Sequence, residues 1–108
     1  MRKQPTQTTP RERYPGLARL CGSYLHEDLA VTDGTVDAAV ARFARKVAPA
    51  VRSRCVADLT RLLSEARGER ALEAVLKDLD CACRPRGGRQ AARAWLERVL
   101  HALRTTPR

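Results

Sequence analysis

Apolar positions along this chain recur at the spacing of one helix face almost from end to end. Leu17, Leu20, Cys21, Tyr24 and Leu25 fall at i, i+3, i+4, i+7 and i+8, and Pro15 stands where a first helical turn accepts proline. Val36, Ala39, Val40, Phe43, Ala44 and Val47 repeat the template; Thr35 is placed as its N-cap, and Asp37 is placed to favour the positive end of the helix dipole. Pro49 restarts the chain, since proline is tolerated in a first turn but not inside a helix. A third stripe follows in Val51, Cys55, Leu59, Leu62, Leu63 and Ala66, closed by Gly68. Leu72, Val75, Leu76 and Leu79 predict a fourth helix, and Trp95, Leu96, Val99, Leu100 and Leu103 a fifth. No segment alternates with the period of a strand, and β-branched residues form no run longer than two. The pattern therefore predicts an all-α fold, a compact bundle of about five short helices in a single domain. The two longest connections, His26 to Gly34 and Cys81 to Gly88, are where binding residues tend to sit.

Composition supports a packed core and places the charge unevenly. Of 108 residues, 44% are hydrophobic, too many for wholesale disorder. Residues 1–13 are polar, with Pro5 and Pro10, and read as a disordered basic leader; 14–103 read as the helical domain and 104–108 as a frayed tail. The start of the chain has positive charge but no apolar stretch behind it, unlike a secretory signal, so the expected compartment is the cytoplasm. Apolar runs are too short to cross a bilayer. Lys and Arg total 21 against 12 Asp and Glu, a net charge of +9. Arg2, Lys3, Arg11 and Arg13 against Glu12, with Arg104 and Arg108 at the other end, put more than half of that excess in the two termini. Arginine far outnumbers lysine, which genome composition explains more simply than selection for guanidinium chemistry.

Candidate chemistry is sparse. Cys81 and Cys83 form a C-x-C pair, but no second pair of zinc spacing accompanies it, and Cys21 and Cys55 lie on apolar stripes, where a thiol packs as a small hydrophobe. The cysteines are expected to be reduced thiols, with no metal and no cofactor. His26-Glu27-Asp28 carries acid–base groups but stands in no nucleophile motif, so the chain is not expected to be an enzyme. The sequence pI of about 10.4 invites nucleic-acid binding, and Arg42, Arg45 and Lys46 on the second helix with Arg52, Arg54 and Arg61 on the third have the charge for a phosphate groove. Against this, Phe43 and Trp95 fall on apolar stripes, no aromatic stacking platform follows, and Asp58, Glu65 and Glu69 intersperse the same stretch as on a solvated helix face. Arg84-Pro85-Arg86-Gly87-Gly88-Arg89 reads as a connector or a contact loop for partner carboxylates; it lacks a P-loop pattern. These residues alone point to a small helical binding module.

One string goes further. Tyr14-Pro15-Gly16-Leu17, followed by Gly22-Ser23-Tyr24-Leu25-His26-Glu27-Asp28, resembles the opening of a family of contact-dependent growth inhibition (CDI) immunity proteins. Later landmarks keep the family's order: Gly34-Thr35, Ala39-Val40-Ala41-Arg42-Phe43, Leu62-Leu63, the turn from Leu79 to Pro85, and Trp95-Leu96. Leu29, Asp80 and Cys83 depart from residues common in the family at those places, which affects local packing more than membership. The resemblance implies a cytoplasmic antitoxin that binds and neutralises the C-terminal toxin domain of a cognate CDI effector, often a nuclease and commonly a tRNase. Gly22, Tyr24, His26, Asp28 and Trp95 carry the signature. Tyr24 is expected to pack with its hydroxyl at the edge, Asp28 to cap the loop and His26 to meet a carbonyl, with direct toxin contact as the alternative.

Two toxin-binding modes follow. Glu27, Asp28, Asp33 and Asp37 offer an acidic loop for a basic nuclease cleft; Arg42, Arg45, Arg52 and Arg54 offer a basic face for an acidic surface away from the active site, and the net charge favours the second. The alternative function is a small basic helical regulator associated with nucleic acid, whose binding would fall steeply with salt.

Overall fold

The computed structural model describes residues 9–25, 34–66, 68–81 and 91–107, and among these the fold is all-α. The helices are α1 (Pro10–Arg13), α2 (Pro15–Ser23), α3 (Val36–Lys46), α4 (Pro49–Glu65), α5 (Glu69–Asp78) and α6 (Ala91–Thr105). The five predicted stripes are α2 to α6. Their boundaries follow local chemistry. Pro15 and Pro49 open α2 and α4, and the Thr35 hydroxyl accepts the Ala38 N–H at 3.1 Å. Gly68, at φ +87°, makes the turn between α4 and α5 in a conformation that only glycine adopts without strain.

Both ends depart from the expected boundaries. Residues 9–13, assigned above to a disordered leader, form a closed helical turn. Thr9 accepts the Glu12 N–H at 3.3 Å while its own N–H donates to Glu12 Oε1 at 2.9 Å, a reciprocal capping box, and Pro10 opens the turn. Ion pairs Arg11–Asp80 and Arg13–Glu65, each 3.2 Å, tie it to the ends of α5 and α4. At the other end α6 continues to Thr105 instead of fraying from 104, because the Thr105 and Thr106 hydroxyls donate to the His101 and Ala102 carbonyls and Arg52 donates to the Thr106 carbonyl at 2.6 Å.

The longest helix, α4, lies between α2 and α6; α6 also packs against α3 and α5, and α1 bridges α2 to α5. The core is the shared product of those stripes: Leu17, Leu20 and Leu25, Val40 and Phe43, Leu59 and Leu62, Leu72 and Leu76, Leu96 and Leu103 are sealed from solvent. Each such side chain contributes about 1.5–3 kcal/mol through burial. Trp95 packs half-buried at the margin. Tyr14, outside every stripe, is 2% exposed and joins the core. At the α2–α4 seam the backbones approach closely: a Cβ on Gly16 would stand 2.6 Å from the Cys55 nitrogen and 2.8 Å from its Cα.

Candidate functional site

The surface available to a partner is what remains after the charged groups that serve the fold are set aside. Tyr14 is the N-cap of α2 but supplies no side-chain cap. Asp58 of α4 supplies it instead: its Oδ2 accepts the Gly16 N–H at 2.7 Å and the Leu17 N–H at 3.2 Å. Asp58 is fully buried, which corrects its reading as part of a solvated face. Its Oδ1 has no hydrogen-bond partner, and Arg61 Nη1 approaches to 3.7 Å. Glu69 of α5 does the same for α6, accepting the Ala92 and Arg93 N–H groups. Glu65 accepts the Tyr14 hydroxyl at 3.0 Å. Burial first, and then this bond, raise the Tyr14 phenol above its ordinary range.

Arginines hold the opposite helix ends. Arg52 donates to the Leu103 and Thr106 carbonyls at the end of α6, Arg93 to the Leu63 carbonyl near the end of α4, and Arg61 to the Arg13 carbonyl at the end of α1. The Arg42 guanidinium lies 4.6 Å from the Tyr24 ring centroid, and that ring meets Phe43 edge-on at 5.2 Å. Tyr24 thus packs as expected for a stripe residue.

Of the four arginines of the expected basic face, Arg42 and Arg52 therefore have roles within the fold. Arg45, at the last turn of α3, and Arg54, on α4, are exposed and meet no carboxylate among the described residues. Arg42 covers Tyr24, Arg52 reaches the end of α6, and Arg54 lies beside α2. The acidic set is also divided. Arg98 grips Asp37 with two bonds of 3.1 and 2.9 Å, while Glu27, Asp28, Asp33 and His26 lie outside the described residues. So do Cys83 and the basic loop from Arg84 to Arg89. Gly22 is exposed on α2.

What the structure does bring together is Arg54 and Arg19. They flank a groove of about 280 Å³ between the first turns of α2 and α4, lined also by Pro15, Gly16, Ala50 and Val51. Sequence spacing does not mark Arg19, because its nearness to Arg54 exists only once α2 lies on α4.

Cys21, Cys55 and Cys81 are buried thiols. A hydrogen bond with Cys81, then burial, pushes the Cys21 thiol well up; burial, then the nearby Asp58 charge, pushes Cys55 up. Thiols held neutral in this way are poor nucleophiles and poor metal ligands.

The family model described as CdiI immunity protein matches residues 13–103, from the end of α1 through Leu103 of α6. The chain belongs to the CdiI immunity protein family. No curated protein and no solved structure matches it. The matched span contains the Asp58 and Glu69 caps and all the residues that line the α2–α4 groove. Membership gives the protein an immunity role against CDI toxins, in a family that is generally non-enzymatic, and implies a cognate CDI toxin as its partner. No described helix is long and apolar enough to cross a membrane.

Proposed function

We propose that this immunity protein acts in the cytoplasm by binding the C-terminal toxin domain of its cognate CDI effector through basic surface, away from the toxin's own basic substrate cleft, and that it performs no chemistry itself. The resemblance that carries the family also implies a nuclease toxin, commonly a tRNase.

The supporting observation is the division of charge. The carboxylates at 37, 58, 65, 69 and 80 are each held by an arginine or a helix N-terminus of the same chain, whereas Glu73, Asp78 and Glu97 have no such partner among the described residues. Arg19, Arg45, Lys46 and Arg54 are held by no carboxylate among the described residues. A blocker that imitates nucleic acid needs predominantly negative outward charge; among the described residues basic side chains outnumber acidic ones. Opposite charge across an interface raises the association rate and makes it sensitive to salt.

Association of the protein with the toxin domain encoded beside it, measured by surface plasmon resonance over a series of salt concentrations, tests this reading. Reversing Arg45 and Arg54 to Glu is expected to lower the association rate and flatten its salt dependence. Arg42 and Arg52 are left intact because each holds part of the fold. Reversal of Glu27, Asp28 and Asp33 to Lys, rather than of the arginines, having that effect would favour the acidic-loop mode. Binding to generic RNA or DNA at physiological salt is expected to be weak; strong binding there would favour the nucleic-acid regulator instead.

A further inference from the structure

The α2–α4 groove has a construction that basic surface alone does not explain. Its floor is apolar, from Pro15, Ala50 and Val51, and its rim carries two exposed guanidinium groups, Arg19 and Arg54. Neither has an ion pair or a hydrogen bond to a described residue. The walls are fixed. Gly16 sits against the backbone of Arg54 and Cys55, and Asp58 pins the first two N–H groups of α2 after Pro15 from below. A site with rigid walls loses little entropy when it is filled.

Size and chemistry narrow the occupant. At about 280 Å³ the groove lies just under the range of roughly 300–1,000 Å³ usual for small-molecule sites, so it suits side chains presented by a macromolecule. The apolar floor offers nothing to a phosphate backbone, and no aromatic platform lines it for a base. Two guanidinium forks above an apolar floor fit a carboxylate carried beside an aliphatic or aromatic side chain.

We infer that this groove is the anchoring pocket for the toxin: it takes an apolar side chain of the toxin domain onto Pro15, Ala50 and Val51 while a neighbouring Asp or Glu of the toxin pairs with Arg19 and Arg54. The inference rests on the immunity reading and on binding through basic surface, and it places the centre of the interface. Anchors at the centre of an interface govern dissociation, whereas rim charges govern association.

The full-length protein and the toxin domain encoded beside it are the reagents, with binding followed by surface plasmon resonance. Ala50→Trp fills the groove without altering charge, and Arg19→Glu reverses one rim group; both positions are exposed, and thermal unfolding confirms that each variant folds. Each is expected to weaken affinity by about 30-fold or more, mainly through faster dissociation. Arg45→Glu, outside the groove, is expected to change association and its salt dependence with little effect on dissociation. Wild-type affinity in both folded groove variants overturns the pocket while leaving the basic-face reading in place. Absence of any binding by the wild-type protein overturns both. A wild-type protein that binds a generic RNA at about 150 mM salt, and loses that binding in Arg19→Glu, makes the occupant a phosphate and overturns the proposal as well.

Discussion

At the scale of single residues, two glycines of the same helix have opposite meanings. Gly16 is required by contact: the atoms a methyl would meet belong to the backbone of α4 and cannot rotate away. Gly16→Ala must separate α2 from α4, and is expected to cost about 2–3 kcal/mol in urea unfolding. Gly22 has nothing within 4 Å of its would-be Cβ and lies inside the helix. Gly22→Ala is expected to stabilise by about 0.5–1 kcal/mol, from the lower backbone entropy of the unfolded chain. Equal effects at the two positions would contradict the tight seam. Asp58 supplies a second comparison across that seam. Asp58→Ala leaves two buried N–H groups without an acceptor and is expected to cost about 2–4 kcal/mol. Asp58→Asn keeps an acceptor oxygen and should cost about half as much.

At the scale of helices, several ends are finished by partners far along the chain. Asp58 caps α2 across 42 residues and Glu69 caps α6 across 23. Glu69→Ala is expected to lower stability by about 1–2 kcal/mol and to speed hydrogen exchange at Ala92 and Arg93 ahead of the rest of α6. Uniform exchange along α6 would argue that Glu69 is a surface charge and no more. This construction explains what sequence periodicity could and could not supply. The stripes of α2 to α6, the Pro15 and Pro49 starts and the Thr35 cap involve residues within about one turn of each other, so spacing reveals them. The roles of Arg52, Arg61 and Arg93 depend on which helix lies beside which, and no local pattern contains that. Two omissions did have local signals. Asp58 falls on the buried stripe of Cys55, Leu59 and Leu62, where a carboxylate needs a partner. Thr9 and Glu12 have the spacing of a capping box. The pairing of Arg19 with Arg54 at one groove had none, since it arises from the α2–α4 contact.

At the scale of the whole molecule, the buried acids link the fold to alkaline pH. Cys21 and Cys55 have thiols raised above their ordinary value of 9.0, and Tyr14 a phenol raised above 10.0. In the unfolded chain these groups ionise near their ordinary values, whereas the folded protein keeps them protonated. Above about pH 9 the folded state therefore binds more protons than the unfolded one, and stability falls as pH rises; below pH 9 their contribution is fully present. Each thiol lowers stability by about 1.4 kcal/mol per pH unit in that window, and Tyr14 steepens the decline beyond pH 10. The fall of the +9 net charge at high pH works the other way by easing self-repulsion, but exposed charges are screened over about 8–10 Å at ordinary salt, so the buried groups dominate. These groups therefore set an alkaline limit to the stability of the fold. Urea unfolding at pH 7, 9 and 10.5 measures the slope. The Cys21→Ala, Cys55→Ala double variant, less stable at pH 7 because of the cavities it creates, is expected to lose stability more slowly above pH 9 than the parent. Parallel curves for the two proteins would place the alkaline transition elsewhere in the molecule.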